Sequence, residues 1–177
     1  MDSQCIIIID PQLDFTSEEG AYAQRHPGIT AIINAKNAIQ QLLDTKSGHS
    51  YIAVYADYTA NQFGDGLNMC IPGTTGHSLG ITISPEIKQI SKPQHSAFSN
   101  PAFLAHLHQE NVQHLYLCGF LAEYCVKQTA LDALHNGFRV SLISDCIATG
   151  DDVIDRVREM IEELEKSGVG VIQSSSL

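Results

Sequence analysis

The sequence predicts a three-layer αβα domain, Rossmann-like, around a mainly parallel central sheet of about six strands. Short apolar runs alternate along the chain with stretches whose apolar residues recur at helical spacing, the pattern of βαβ units. The runs are apolar on both faces rather than alternating, as strands covered on both sides must be. They also stop on Asp or Gly, residues that turn a chain where a strand ends.

Cys5 to Ile9 is the first such run, ends on Asp10-Pro11, and belongs in the middle of the sheet. Ile29, Ile32, Ile33, Ile39, Leu42 and Leu43 then mark a helix that Ser47-Gly48 breaks. Tyr51 to Ala56 is a second strand, ending on Asp57. From Tyr58 to Thr82 no period holds; the segment is rich in Gly, Thr, Asn and Pro, and loops of this length usually carry function. A short helical piece after Pro85 and a strand from Gln89 to Lys92 follow. Asn100-Pro101 pairs an N-cap with a first-turn proline and starts a helix to about Gln109. His114 to Gly119 is a buried strand, short and stopped by glycine. A helix with Val126, Ala130, Ala133 and Leu134 inward comes next, and Gly137 closes it. Phe138 to Ser144 is a strand before Asp145, Asp151-Asp152 opens a charged amphipathic helix that Gly168 ends, and Val169 to Ile172 is the last strand. Gln173 to Leu177 is a polar tail.

The 177 residues support one domain, spanning 1–177, with a substantial core. A formal charge of −10 argues against nucleic acid and against anionic membranes, both of which need a basic surface. No apolar run approaches the ~20 residues of a membrane span. The start, Met-Asp-Ser-Gln, lacks the basic region and cleavage site of a signal peptide. Five cysteines, an odd number without CxxC spacing, favour neither a disulfide framework nor structural zinc, and suit a reducing cytoplasm.

Asp10, Asp57, the Gly119–Cys125 turn and Asp145 all follow strand ends, at the edge where open α/β sheets place their ligand crevice. Asp10 follows four isoleucines, so its carboxylate lies near the sheet centre and needs a cation. Lys92 is the candidate, although composition alone reads it rather as a solvated surface lysine. Cys125 stands where a first helical turn leaves N–H groups unpaired, which favours a thiolate. It reads either as that reactive thiol or as a small buried hydrophobe. Cys5, Cys118 and Cys146 read as core thiols, and Cys70 as a loop cysteine open to solvent. His26, His49, His106, His108, His114 and His135 share no ligand spacing.

Three segments in register carry a resemblance over essentially the whole chain. Asp10-Pro-Gln-Leu-Asp-Phe15, Lys92-Pro-Gln-His-Ser-Ala-Phe98 and Gly119-Phe-Leu-Ala-Glu-Tyr-Cys125-Val-Lys-Gln-Thr-Ala-Leu-Asp-Ala133 resemble the isochorismatase-like cysteine hydrolases, which include nicotinamidases. The likeness runs on through Gly137-Phe-Arg-Val and Asp145-Cys-Ile-Ala-Thr149. The resemblance implies a catalytic triad of Asp10, Lys92 and Cys125, a cis peptide between Phe120 and Leu121, and an oxyanion hole from the N–H groups of Leu121 and Cys125. It implies Phe15, Phe98 and Tyr124 as pocket walls. Leu121-Ala122 departs from the more usual Ala-Thr.

A metal site of the nicotinamidase kind would need imidazoles where this chain has Thr59 and Met69; only Asp57 of that set remains. Thioether and hydroxyl replace imidazole poorly, so no metal and no cofactor is expected. Thr59 and His77 are then candidate hydrogen-bond donors to substrate and Met69 a candidate wall. The expected activity is thioester-mediated cleavage of a C–N bond in a small amide, ureido or carbamoyl compound. The alternatives are vinyl ether hydrolysis of the isochorismate pyruvate-hydrolase kind, and a non-catalytic interaction module on the same fold. The expected partners are a small-molecule substrate and further copies of the chain, as a dimer or tetramer.

Overall fold

The computed structural model describes residues 3–45 and 48–177. Six strands, β1 (Ser3–Ile9), β2 (Ser50–Ala56), β3 (Lys88–Lys92), β4 (Val112–Gly119), β5 (Arg139–Ile147) and β6 (Gly170–Ile172), form one sheet in the order β3-β2-β1-β4-β5-β6. Every pairing is parallel. The helices are α1 (Leu13–Thr16), α2 (Thr30–Thr45), α3 (Pro101–Gln109), α4 (Lys127–His135) and α5 (Asp155–Lys166).

The isoleucine run explains why β1 is central. Cys5, Ile7 and Ile9 pack with Phe103 and Leu107 of α3, Ala130 and Ala133 of α4, and Met160 and Leu164 of α5. Ile6 and Ile8 point the other way, to Ile32 and Ile39 of α2 and to Tyr22, Tyr58 and Phe120. Each buried side chain of this size contributes about 1.5–3 kcal/mol, so burying both faces of one strand anchors all three layers. The second face has one long helix, and loop residues such as Ile29 and Cys70 complete it.

Chain order runs from β1 outward through β2 to β3, then returns to β4 and runs outward to β6. The switch point therefore lies at the carboxyl ends of β1 and β4, where a crevice opens in such sheets.

Several local expectations change. No helix follows Pro85: residues 84–87 form a turn closed by Ile87 N–H donating to the Ser84 carbonyl at 3.0 Å. A proline cannot seed a helix whose following residues feed directly into β3. Asp145 lies inside β5 and accepts from Ser174 N–H (2.8 Å) and Ser174 Oγ (2.5 Å), so it fixes the C-terminal turn and leaves the crevice. Asp151 sits in a 3₁₀ turn ahead of α5 and accepts from Thr30 N–H (2.8 Å) and Ala31 N–H (2.9 Å), capping α2 from across the chain. Those bonds, Ala31 first, hold its carboxyl below the usual range. The break expected at Ser47-Gly48 falls partly outside the described residues.

Gly119 ends β4 with φ +118, paired with Ile9; a Cβ there would stand 2.0 Å from the Ile9 carbonyl oxygen and 2.7 Å from its nitrogen. Gly137, with φ +85, has no atom within 4 Å of such a Cβ. Gly119→Ala is therefore expected to cost more than ~3 kcal/mol, because backbone must move, and Gly137→Ala only ~1–2 kcal/mol. Urea unfolding of both variants checks this; equal losses would refute the close-approach argument.

Candidate active site

The sheet brings Asp10, Lys92 and Cys125 together although 115 residues separate the first from the last. Asp10 follows β1 directly and adopts φ 49, the left-handed region that aspartate tolerates better than most residues. Lys92 ends β3, and Cys125 lies in a π-helical turn, Ala122–Val126, that leads into α4. Cys125 thus lies in the π-helical turn just ahead of the α-helix proper, which starts at Lys127, rather than in its first turn.

Asp10 and Lys92 are both wholly buried, with Lys92 Nζ 2.9 Å from Asp10 Oδ2. The ammonium also donates to Tyr58 Oη at 2.8 Å and to the Gln94 carbonyl at 3.0 Å, and stands 3.5 Å from Cys125 Sγ. The contact with Asp10 is a close ion pair without good hydrogen-bond direction, and neither carboxylate oxygen accepts a well-directed bond from the chain. Asp10 therefore keeps lone pairs free to take a proton.

Burial raises the Asp10 carboxyl above its ordinary value, against the pull of the Lys92 ammonium and the Cys125 thiol. Burial also opposes the Lys92 charge, but Asp10 and then Cys125 outweigh it and hold Lys92 above its usual range. The Cys125 thiol is pushed up to about 12 by burial and then by Asp10, with Lys92 and Tyr58 working the other way. The resting sulfur is thus a neutral thiol beside a base. A thiolate preformed by the helix end, the sequence expectation, is not what this environment favours.

The thiol opens onto a cavity of about 330 Å³. Of the residues expected in the site, Phe15, Met69, Leu121, Tyr124 and Cys125 line it. Tyr58, His95 and Phe63 line it too, and the His95 ring is stacked between Phe63 (4.3 Å between centroids) and Tyr124 (5.5 Å). His95 Nδ1 is 3.7 Å from Cys125 Sγ, and burial followed by the Lys92 ammonium holds this imidazole below its ordinary pKa, hence neutral. Sequence reasoning missed Tyr58, His95 and Phe63. The signal was the aromatic content of the loop after Asp57 and of the Lys92 motif, which no periodicity marks.

The other expected pocket residues sit elsewhere. Phe98 packs against Phe103 on the opposite face of the sheet (5.0 Å). Thr59 is exposed, its backbone N–H bonded to Gln62 Oε1. Asp57 pairs with His77, Nε2 to Oδ1 2.6 Å, and neither lines the cavity. Cys70, expected to be open to solvent, is fully buried: its N–H donates to Asp14 Oδ2 at 2.6 Å, which draws the loop inward. Gln12 sutures the crevice rim, its side-chain amide accepting from Ala56 N–H (2.7 Å) and donating to the Ala56 carbonyl (2.9 Å) and the His77 carbonyl (3.0 Å). The Phe120–Leu121 peptide is cis. The N–H groups of Ala122, Tyr124 and Val126 are committed to the carbonyls of Ala148 and Leu121.

A doubly wound parallel sheet with thiol, carboxylate and ammonium gathered at its switch point defines an α/β enzyme with the equipment of a hydrolase. The chain belongs to the isochorismatase family, since the family model for the isochorismatase domain matches residues 4–176. It is similar in structure to the pyrazinamidase of Pyrococcus horikoshii in complex with zinc (TM-score 0.83, 24 % identity, 97 % of this chain and 99 % of that one). It is similar also to PnC1 from L. infantum in complex with nicotinate (0.80, 26 %, 99 % and 94 %). N-carbamoylsarcosine amidase from Thermoplasma acidophilum shares the fold (0.78, 18 %, 97 % and 96 %).

The zinc of the Pyrococcus protein invites a test of fit. A catalytic zinc needs three protein ligands and an open position. Here Asp57 and His77 are engaged with each other, Thr59 faces Gln62, and Met69 offers a thioether. Among the described residues no group of three or more His, Cys, Asp or Glu could hold a metal ion. The donor set does not fit zinc.

Breaking a buried ion pair by removing one member typically costs about 3–5 kcal/mol. Lys92→Met and Asp10→Asn should each approach that loss, and the double variant should lose less than the two singles combined. Urea unfolding in a double-mutant cycle measures it; strict additivity would mean the two groups are not coupled.

Proposed function

We propose that this protein is a metal-independent cysteine hydrolase that cleaves a C–N bond of a small amide, ureido or carbamoyl compound through a thioester on Cys125. The observation that carries this reading is the convergence of Asp10, Lys92 and Cys125 in one buried cluster open to a cavity of about 330 Å³. Relatives named as a pyrazinamidase and an N-carbamoylsarcosine amidase support the amide class.

Asp10 takes the thiol proton as the sulfur attacks the carbonyl carbon; the C–S bond forms and the π pair moves to oxygen. The N–H groups of Leu121 and Cys125 hold that oxyanion, a role worth roughly 2.7–4 kcal/mol per donor in comparable sites. Asp10 passes the proton to the leaving nitrogen, the C–N bond breaks, and the thioester remains. Water then gives a proton to Asp10 and its hydroxide to the acyl carbon, and the proton returns to sulfur as the acid departs. Lys92 keeps its proton throughout and keeps Asp10 ionised. Phe15, Met69 and Tyr124 supply apolar contact to the acyl group, and Arg25 and His26 add polar groups to the same wall.

Screening small amides by mass spectrometry should trap an acyl adduct on Cys125, and Cys125→Ala should abolish turnover; turnover surviving in that variant would remove the reading. Full activity after chelation is expected, and zinc-restorable loss would overturn metal independence. Asp10 must be unprotonated to act, and its carboxyl is raised. Activity should therefore fall with falling pH through a midpoint above 3.8, the ordinary aspartate value. A pH–rate profile flat below that midpoint would exclude Asp10 as the base.

A further inference from the structure

We infer that the Tyr58 hydroxyl is a hydrogen-bond donor to the Cys125 sulfur, a fourth member of the reacting cluster that stabilises the thiolate while the proton rests on Asp10. The inference deepens the cysteine-hydrolase reading and rests on it.

Tyr58 is buried, and its hydroxyl meets two polar atoms, Lys92 Nζ at 2.8 Å and Cys125 Sγ at 3.5 Å. An ammonium has no lone pair, so in the first contact the lysine donates and the phenol oxygen accepts. The phenol proton must then point elsewhere. Asp10, the base, has unfilled acceptor sites to receive the thiol proton, and once it has done so the sulfur is left only to accept. The Lys92→Tyr58→Cys125 chain has one polarity: each bond drains density from the sulfur and strengthens the next. Burial, with the charge that Cys125 carries once it is a thiolate and that of Asp10, holds the phenol far above its ordinary range, so it donates without losing its proton. No proton leaves Tyr58; the transfer remains from Cys125 to Asp10.

The ring is held for this task. It packs edge-on to Phe63 at 4.8 Å, and the Tyr58 backbone N–H donates to the Cys70 carbonyl at 3.1 Å. Tyr58→Phe thus removes the hydroxyl and keeps the packing. A hydrogen bond to a charged acceptor is worth enough for about a tenfold effect or more.

The test compares the rate of Cys125 alkylation by iodoacetamide against pH, resolved by peptide mass spectrometry, in wild type and Tyr58→Phe. Tyr55→Phe, whose ring packs on His77 (5.7 Å), serves as the control. The expected result is a Tyr58→Phe profile displaced about one unit to higher pH, with about tenfold slower labelling near neutrality, an unchanged control, and lower kcat on any amide substrate. Superimposable profiles for Tyr58→Phe and wild type overturn the inference. Alkylation needs no substrate, so a failure of all proteins to hydrolyse amides would sink the hydrolase reading while the labelling still decides the role of Tyr58.

Discussion

A lysine ammonium with no solvent contact is the constraint on which the rest of this structure depends. Taking one such charge out of water costs several kcal/mol even after relaxation, and only near-complete pairing offsets it. Asp10, Tyr58, Gln94 and Cys125 supply that pairing, and they come from four separate segments of the chain. The fold must therefore bring the ends of β1, β3 and β4 and the loop after β2 to one point. Gln12, suturing β1 to β2, and Asp14, drawing the Cys70 loop inward, are consequences of the same demand.

How much of this was legible follows from which signals are local. The sheet was readable because the isoleucine run, the glycine stops and the Asn100-Pro101 pair are properties of neighbours in sequence. Asp10 was readable for the same reason, as a charge following an apolar strand, and Lys92 as the cation that such a charge needs, set in a family motif. Tyr58, Phe63 and His95 were not: their role depends on how a loop of mixed composition folds over the sheet edge, and loops carry no period. Phe98 shows the converse. Its neighbourhood matches a family motif, yet its ring turns to the opposite layer, where Phe103 and Phe138 receive it. Cys70 was misjudged because a loop was equated with exposure; a single carboxylate, Asp14, reverses that.

The state of the sulfur also separates sequence from structure. A helix start suggests a thiolate, but Cys125 is 3 % exposed and shares its site with a carboxylate. Burial and that charge together dominate the dipole and the ammonium, and the thiol keeps its proton. A neutral thiol beside an ionised base is the safer resting state, since a free thiolate facing an open cavity would react with any electrophile that entered. In the proposed mechanism the nucleophile is then generated only as the substrate carbonyl arrives to take up the charge.

The cavity completes this logic. Its walls are largely aromatic and aliphatic, with Arg25 and His26 among them, and the imidazole beside the sulfur, His95, is held neutral. Low polarity around the cluster strengthens every charge interaction within it. On the proposed metal-independent reading it leaves orientation of the substrate to shape, because Asp57 and His77 are turned to each other outside the cavity. On the same reading, the substrate is selected by fit against Phe15, Met69 and Tyr124. Specificity then resides in α1, the Met69 loop and the π-helical turn that carry these side chains, while the proposed chemistry resides at the strand ends beneath them.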